Sequence, residues 1–457
     1  MIRRFFLFLA IVTACIACSD DDAFTTSPTA TLTFSVDTVR LDTVFSTVGS
    51  RTYDFWVYNR SRASLRVQSV RLRQGNQTGF RVNVDGSYLD NTLGSITTDL
   101  EVRRDDSLRV FVELTAPENG QLDPIAVEDQ LLFLLESGVE QRVVLSGHTW
   151  DAELIDTLRI QRDTLLQSQR PIVIYGALRV DSTVTLSVRN TTFYFYDGSG
   201  VDVYGTLKAE NSVFRGDRLD HMFDYLPYDR VSGQWRGIRL YGSSTGNEFI
   251  GSEVRNAMNG IVCDSAALSP QSLRLYMERT VVHNCKGYGV QAFNAFIGLV
   301  NCQLTNTLGD CLAVYGGACE VRQCTLGQFY PFSADRGAAL RFTNYHGSYA
   351  YPLEKMLVTG SIVTGYADDV VMGETRSDDS ITVFSYHFEN TLLRTPQPDS
   401  ASLDTTTFVR VRWESPKDSI QGKQHFRLID EENLIYDFHL DSVSNAQGLG
   451  CYVENEL

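Results

Sequence analysis

Apolar and polar residues alternate along most of this chain with a period of two, the spacing of strands and not of helices. From Thr31 to about Trp150 the alternation comes in short runs: Leu32 to Val36, Tyr53 to Tyr58, Leu65 to Leu72, Phe80 to Val84, Leu108 to Leu114, Gln130 to Leu135 and Gln141 to Leu145. Gly, Asn, Asp or Pro separate several of them, so residues 31–150 are expected to form an antiparallel β-sandwich. Phe55 and Val57 on one side, with Trp56 and Tyr58 on the other, predict a central strand apolar on both faces.

Past a charged connector, Asp151 to Gln169, the alternation becomes a repeat. Leu186, Asn190 and Phe193 are matched by Leu207, Asn211 and Phe214, 21 residues on. The pattern returns as Leu275/Arg279/Val282, Ile297/Asn301/Leu304 and Cys319/Gln323/Leu326, in steps of 22, and then as Met356/Gly360/Val363 and Tyr386/Asn390/Leu393. A second column holds Gly260-Ile261, Gly289-Val290 and Cys311-Leu312. Such a period is too short for paired helices and lacks the leucine-rich signature, whereas one coil of a parallel β-helix fits it. A coil cannot bury its inner face alone, so equivalent apolar positions stack along the axis, and Asn suits a corner because it tolerates left-handed dihedrals. About ten coils fit between Ile172 and Thr395. The fold expected is all-β: a sandwich, a parallel β-helix over 151–395, and a carboxy-terminal β cap over 396–457. Sandwich and tail would cover the open ends of the ladder.

The amino terminus carries a different pattern. Arg3 and Arg4 precede an apolar run from Phe5 to Ala17, the length of a signal-peptide core and short for a membrane span. Small residues before Cys18 suit lipoprotein signal peptidase; Val12-Thr13-Ala14-Cys15 is a competing box of better form. Cys18 is preferred because Ser19 and the Asp20 to Asp22 run that follow resemble an export signal of Gram-negative outer-membrane lipoproteins. Residues 1–17 are thus expected to be cleaved and 18–30 to be a lipidated tether. The protein is expected at the outer membrane, held by its lipid and facing the exterior.

A net charge of -16 argues against a nucleic-acid partner, since phosphate binding needs a basic patch. No calcium loop occurs, and the cysteines of the repeat region show neither a zinc spacing nor a C-x-x-C pair, so no metal or cofactor is expected. Six cysteines, Cys263, Cys285, Cys302, Cys311, Cys319 and Cys324, crowd into 62 residues and read as buried, mostly unpaired thiols of a β core.

Three segments carry a family resemblance: Val67-Gln-Ser-Val70 to Phe80-Arg-Val-Asn-Val-Asp-Gly86; Phe214-Arg-Gly-Asp-Arg218 with Gln234-Trp-Arg-Gly-Ile238; and Asp437-Phe-His-Leu-Asp441 to Gly450-Cys-Tyr452. Together they resemble right-handed parallel β-helix repeat surface lipoproteins with an amino-terminal immunoglobulin-like domain, with residues 442–449 abbreviated relative to that family. The resemblance implies fold and location and says little of activity.

Parallel β-helices also host polysaccharide lyases and glycoside hydrolases. Only Lys208, Lys286 and Lys355 lie in the repeat region, none beside a cluster of acidic ligands, and Asp368-Asp369 is a lone fragment of the hydrolase motifs. The best candidate ligand loop is the insertion holding Asp217, Asp220, His221, Asp224, Tyr225, Tyr228 and Asp229, whose carboxylates, imidazole and rings could meet a sugar. No catalytic residue is assigned. The expectation is a non-enzymatic surface lipoprotein binding or scaffolding extracellular ligands, with polysaccharide the favoured class. The alternatives are a β-helix lyase or hydrolase, and a structural or adhesive component of a surface complex.

Overall fold

The computed structural model describes residues 23–452 apart from 90–91, 93, 267–271, 377, 380 and 400–403. Cys15, Cys18 and the signal segment lie outside the described residues. The chain divides into two compact units at Asp151/Ala152. Among the described residues no helix is long and apolar enough to cross a membrane, which says nothing of β-barrels.

The first unit is a sandwich of two five-stranded sheets. One orders Leu32–Phe34, Tyr53–Asn59, Ser107–Leu114, Phe80–Val84 and Ser87–Tyr88; the other orders Thr38–Phe45, Glu140–Trp150, Ile125–Leu135, Leu65–Leu72 and Ile96–Val102. Phe55, Val57, Val82 and Val112 from the first sheet pack in one buried cluster with Val67, Val70, Phe133 and Leu145 from the second. The strand apolar on both faces is internal to its sheet, between Leu32–Phe34 and Ser107–Leu114, but its second face is open to solvent: Trp56 is 39% exposed. Its ring stacks on Tyr58 and lies beneath the Arg109 guanidinium, so arginine stems and not a third layer shield this face. Thr38–Phe45 and Ile96–Val102 escaped the sequence pattern. The first pairs in parallel with Glu140–Trp150 through a register shift, and the second is mostly solvent-facing.

The second unit is the β-helix. A 26-stranded ladder runs from Glu153–Ile160 to Arg412–Glu414, past the boundary expected at residue 395. Its registers reproduce the sequence columns: Leu186 pairs with Leu207, Leu275 with Ile297, Ile297 with Cys319, Cys319 with Met356 and Met356 with Tyr386. Every corner residue of that pattern has a positive φ: Asn190, Asn211, Arg279, Asn301, Gln323, Gly360 and Asn390. One coil, with Asn247, Gly251 and Val254 in the three positions, was not seen in the sequence. The insertion after Gly216 breaks the period, and Asn247 puts an amide where the other coils have an apolar side chain. That amide is satisfied inside, accepting from Leu207 N and donating to Ser244 Oγ and Arg274 O.

The residue after each corner forms a further column: Thr191, Ser212, Ser252, Thr280, Cys302, Cys324, Ser361 and Thr391, all buried. Each hydroxyl or thiol donates to the carbonyl two residues earlier. Several also accept the amide of the neighbouring coil, as Ser212 Oγ does from Thr191 N and Cys324 Sγ from Cys302 N. The cysteines therefore hold two kinds of position. Cys302 and Cys324 stand in for hydroxyls, while Cys319 lies in the apolar column between Ile297 and Met356. All seven cysteines among the described residues are free thiols. Burial pushes Cys263 up to about 11 and Cys285 up to about 12, which leaves them protonated and unreactive. Cys302→Ser and Cys324→Ser are expected to shift the urea midpoint little, by less than about 1 kcal/mol. Cys319→Ser should cost about 1–3 kcal/mol, because its hydroxyl would be buried without a partner. Equal losses in all three variants would refute the distinction.

The tail expected as an end cap lies along the flank of the ladder. After the short 3-10 turn Gly422–His425, the hairpin Phe426–Asp430/Ile435–Leu440 packs Phe426 and Phe438 with Phe329, Ile362 and Leu392. The chain then runs back, with Gly450 N donating to Gly360 O, Cys451 N to Thr325 Oγ1 and Tyr452 Oη to Gln303 Oε1.

Candidate functional site

This strap leaves a cleft of about 420 Å³ on the flank, lined among others by Asp229, Glu253, Arg255, His283, Tyr436 and Tyr452. Its floor follows from strand parity. In Val213–Gly216, Glu253–Arg255, Val281–Cys285 and Gln303–Thr307 the residues Phe214, Val254, Val282 and Leu304 point into the core. The next residue of each strand points out, so Arg215, Arg255, His283 and Thr305 form an outward column.

Two arginines stacked one coil apart repel each other, and Asp229 answers this. Its carboxylate lies 2.9 Å from Arg215 Nη2 and 3.3 Å from Arg255 Nη2. Glu253 approaches Arg255 Nε at 3.3 Å. Burial, and then Arg255, lower the Arg215 pKa, while Asp229 opposes both. His283 donates to or accepts from Thr305 Oγ1 at 2.8 Å, and the Tyr436 ring meets it edge-on at 5.4 Å. Burial first, and Arg255 second, drive its pKa down to about 4, so the imidazole facing the cleft is neutral at physiological pH. Tyr436 Oη is buried without a hydrogen-bond partner, and burial raises its pKa. Opposite, His439 stacks on Tyr452 at 3.9 Å and its Nδ1 contacts Asp437.

Of the loop residues singled out in the sequence, only Asp229 reaches this cleft. Asp220 is buried in a bidentate pair with Arg218 at 2.7 and 2.5 Å, and the same guanidinium covers the Tyr228 ring. Asp217 is half-buried, and that burial pushes its carboxyl up to about 6, with Arg218 opposing. His221 opens a small hairpin, His221–Phe223/Leu226–Pro227, with Asp224 at its tip. Tyr225 stands 79% exposed beside Phe223. Sequence reasoning missed Glu253, Arg255, His283, Tyr436 and Tyr452. Arg255 and His283 could have been found by aligning the coils, since they, like Arg215, each follow the inward residue of the repeat, and Glu253 comes with them as the residue before Val254. The two tyrosines could not, because the strap meets the ladder through non-local contacts. Among the described residues no group of His, Cys, Asp or Glu could hold a metal ion.

No curated protein matches the chain. The Agl-KA catalytic domain is a solved structure 9% identical to it, aligned over 79% of this chain and 75% of that one at a TM-score of 0.24. A family 123 glycoside hydrolase from Clostridium perfringens is 7% identical over 27% of this chain at a TM-score of 0.19, and the aligned part spans 26% of that structure. The CooA pilin subunit from enterotoxigenic Escherichia coli is 14% identical over 27% of this chain and 97% of its own, at a TM-score of 0.18. Scores this low carry no inference about activity. Residues 172–326 match the family described as the right handed beta helix region. The chain therefore carries a right-handed β-helix region, and the ladder described above is its structure.

Proposed function

We propose that this is an exported surface lipoprotein, tethered through Cys18 at the outer membrane, that binds a glycan in the flank cleft without cleaving it. The observation that supports binding over cleavage is the engagement of the carboxylates. A glycosidase needs one carboxyl free to carry a proton to the leaving oxygen and a second facing the sugar. Here Asp229 is held by Arg215 and Arg255, Glu253 by Arg255, and Asp437 by His439. The Tyr436 and Tyr452 rings and the outward edge of Arg255 are recognition groups of the kind that grip a sugar by stacking and hydrogen bonding. A lyase reading is favoured by one feature, the neutral His283 beside Arg255. Against it, His283 is engaged with Thr305 and covered by Tyr436.

The test is calorimetric titration of the purified protein with acidic and neutral polysaccharides, run beside assays for unsaturated products and reducing ends. Saturable binding without product is expected, and Arg255→Ala should weaken it at least tenfold. Product release that disappears in His283→Ala would replace this reading with the lyase. Failure of every glycan to bind, with the thermal transition intact, would remove glycan binding and leave the structural or adhesive role.

A further inference from the structure

A second recess, of about 380 Å³, lies on a different strand column, among the outward residues of Leu312–Arg322 and Leu340–Thr343 and the small hairpin Tyr345–His346/Tyr349–Ala350. Its charged groups are Asp310, Arg341 and Glu374; its rings are Tyr288, Tyr315, Tyr345 and His346. Asp310 is buried at the back, accepting from Ala338 N at 2.7 Å and from Arg341 Nε at 2.8 Å. The guanidinium is thereby fixed in direction while part of it remains open to solvent. Glu374 stands beside it, with 3.6 Å between Arg341 Nη1 and the carboxylate, too long for a hydrogen bond. Tyr345 Oη donates to Glu374 at 3.3 Å and steadies it.

We infer that this recess is a binding site for a neutral sugar ring bearing vicinal hydroxyls, distinct from the flank cleft. A fixed donor and an acceptor side by side, not closed on each other, match two adjacent hydroxyls: one accepts from Arg341 while its neighbour donates to Glu374. Two carboxylates against one guanidinium leave the recess negative, which excludes uronates and sulfated sugars. Tyr315 is buried between Phe293 at 5.0 Å and His346, which meets it edge-on at 4.6 Å, and so braces the wall, while Tyr288, Tyr345 and His346 keep the accessible ring surface that can face carbon-bound hydrogens. The volume lies within the range of small-molecule sites, ~300–1,000 Å³. The recess shares only its general ligand class with the cleft and needs none of the cleft residues.

The experiment is saturation-transfer NMR and calorimetry on the purified protein with neutral oligosaccharides of glucose, galactose and mannose, uronate and sulfated oligosaccharides, and choline. At least one neutral oligosaccharide is expected to bind, and the charged sugars are not expected to compete for its site. Glu374→Gln and Tyr345→Ala should each weaken that binding tenfold or more with an unchanged thermal midpoint, Glu374 being largely exposed. Binding of choline in place of sugar would overturn the ligand class. Absence of any neutral-sugar binding, or binding lost in Arg255→Ala but kept in Glu374→Gln, would overturn the site; in the second case the sugar would lie in the flank cleft and the reading above would stand.

Discussion

Glu414→Ala is expected to release the carboxy-terminal strap at a cost of about 3–5 kcal/mol, the range for breaking one side of a buried ion pair. Glu414 is 4% exposed and His425 is fully buried. The carboxylate accepts from Thr364 Oγ1 at 2.8 Å and Gly422 N at 2.6 Å, contacts His425 Nε2 at 3.2 Å and pairs with Arg394. His425 Nδ1 reaches Ser444 Oγ at 2.9 Å, so one carboxylate joins the last coil, the coil before it and both ends of the strap. With alanine, Arg394 and His425 remain buried, and Arg394 keeps only Asp368, Gln421 and the Ala367 carbonyl. Urea unfolding and hydrogen exchange over 422–452 measure the effect. Exchange in the strap should accelerate while the coils around Leu275 to Leu326 stay protected. A loss under about 1 kcal/mol would show that the apolar contacts of Phe426 and Phe438 hold the strap unaided.

The same cluster fixes a pH dependence. Burial pushes the Glu414 carboxyl up, but hydrogen bonds from His425, Arg394 and the Gly422 amide outweigh it and hold it below its ordinary value of 4.5. A depressed carboxyl stabilises the fold fully above its unfolded value, and that contribution is lost as pH falls through the folded one. The Glu414 contribution should therefore be equal at pH 7 and pH 5.5 and be lost only below about 4.5. His283, kept neutral beneath Tyr436 with a pKa of about 4, adds a loosening that begins as pH falls below the ordinary imidazole value of 6.5.

Gly237→Ala should be as damaging, by about 3 kcal/mol or more, combining a strained dihedral with overpacking. Gly237 has φ +97°, and an added Cβ would sit 1.5 Å from the Asn259 carbonyl oxygen of the next coil. The flanking backbone cannot retreat, since Gly237 O accepts from Val201 N and Ile238 N donates to Gly260 O. Two residues before it, Trp235 is buried against Phe195 at 4.4 Å with its Nε1 on Arg255 O. Gly198→Ala is the control. Its φ is +77° but nothing lies within 4 Å, so only the dihedral penalty of about 1–2 kcal/mol applies. Similar thermal midpoints for the two variants would refute a steric role for the Gln234-Trp-Arg-Gly-Ile238 segment.

The coils could be read before the structure because each repeats the same local problem: an apolar residue in, a left-handed corner, an apolar residue in. Even Arg279 and Gln323, which do not favour positive φ, were placed at corners by spacing alone. Legibility failed where a contact joins distant parts of the chain. Asn247 is inside because Ser244 and Arg274 meet its amide, and Tyr436 and Tyr452 line the cleft because the strap folds back over coils more than a hundred residues earlier. The loop from Asp217 to Asp229 was recognisable as an insertion, yet charge pattern alone could not separate Asp229, which bridges Arg215 and Arg255, from Asp220, which only closes on Arg218.

The corner column of hydroxyls and thiols makes length an adjustable property of this architecture. Each turn of backbone is completed by its own left-handed residue and its own Ser, Thr or Cys, which bonds within the coil and to the adjoining amide. A coil duplicated or deleted between two such corners would meet the same chemistry above and below. Each would move whatever is carried further along by about 4.8 Å, the spacing of neighbouring strands. Reach can thus be varied by copy number in small, regular increments, without redesigning the interior.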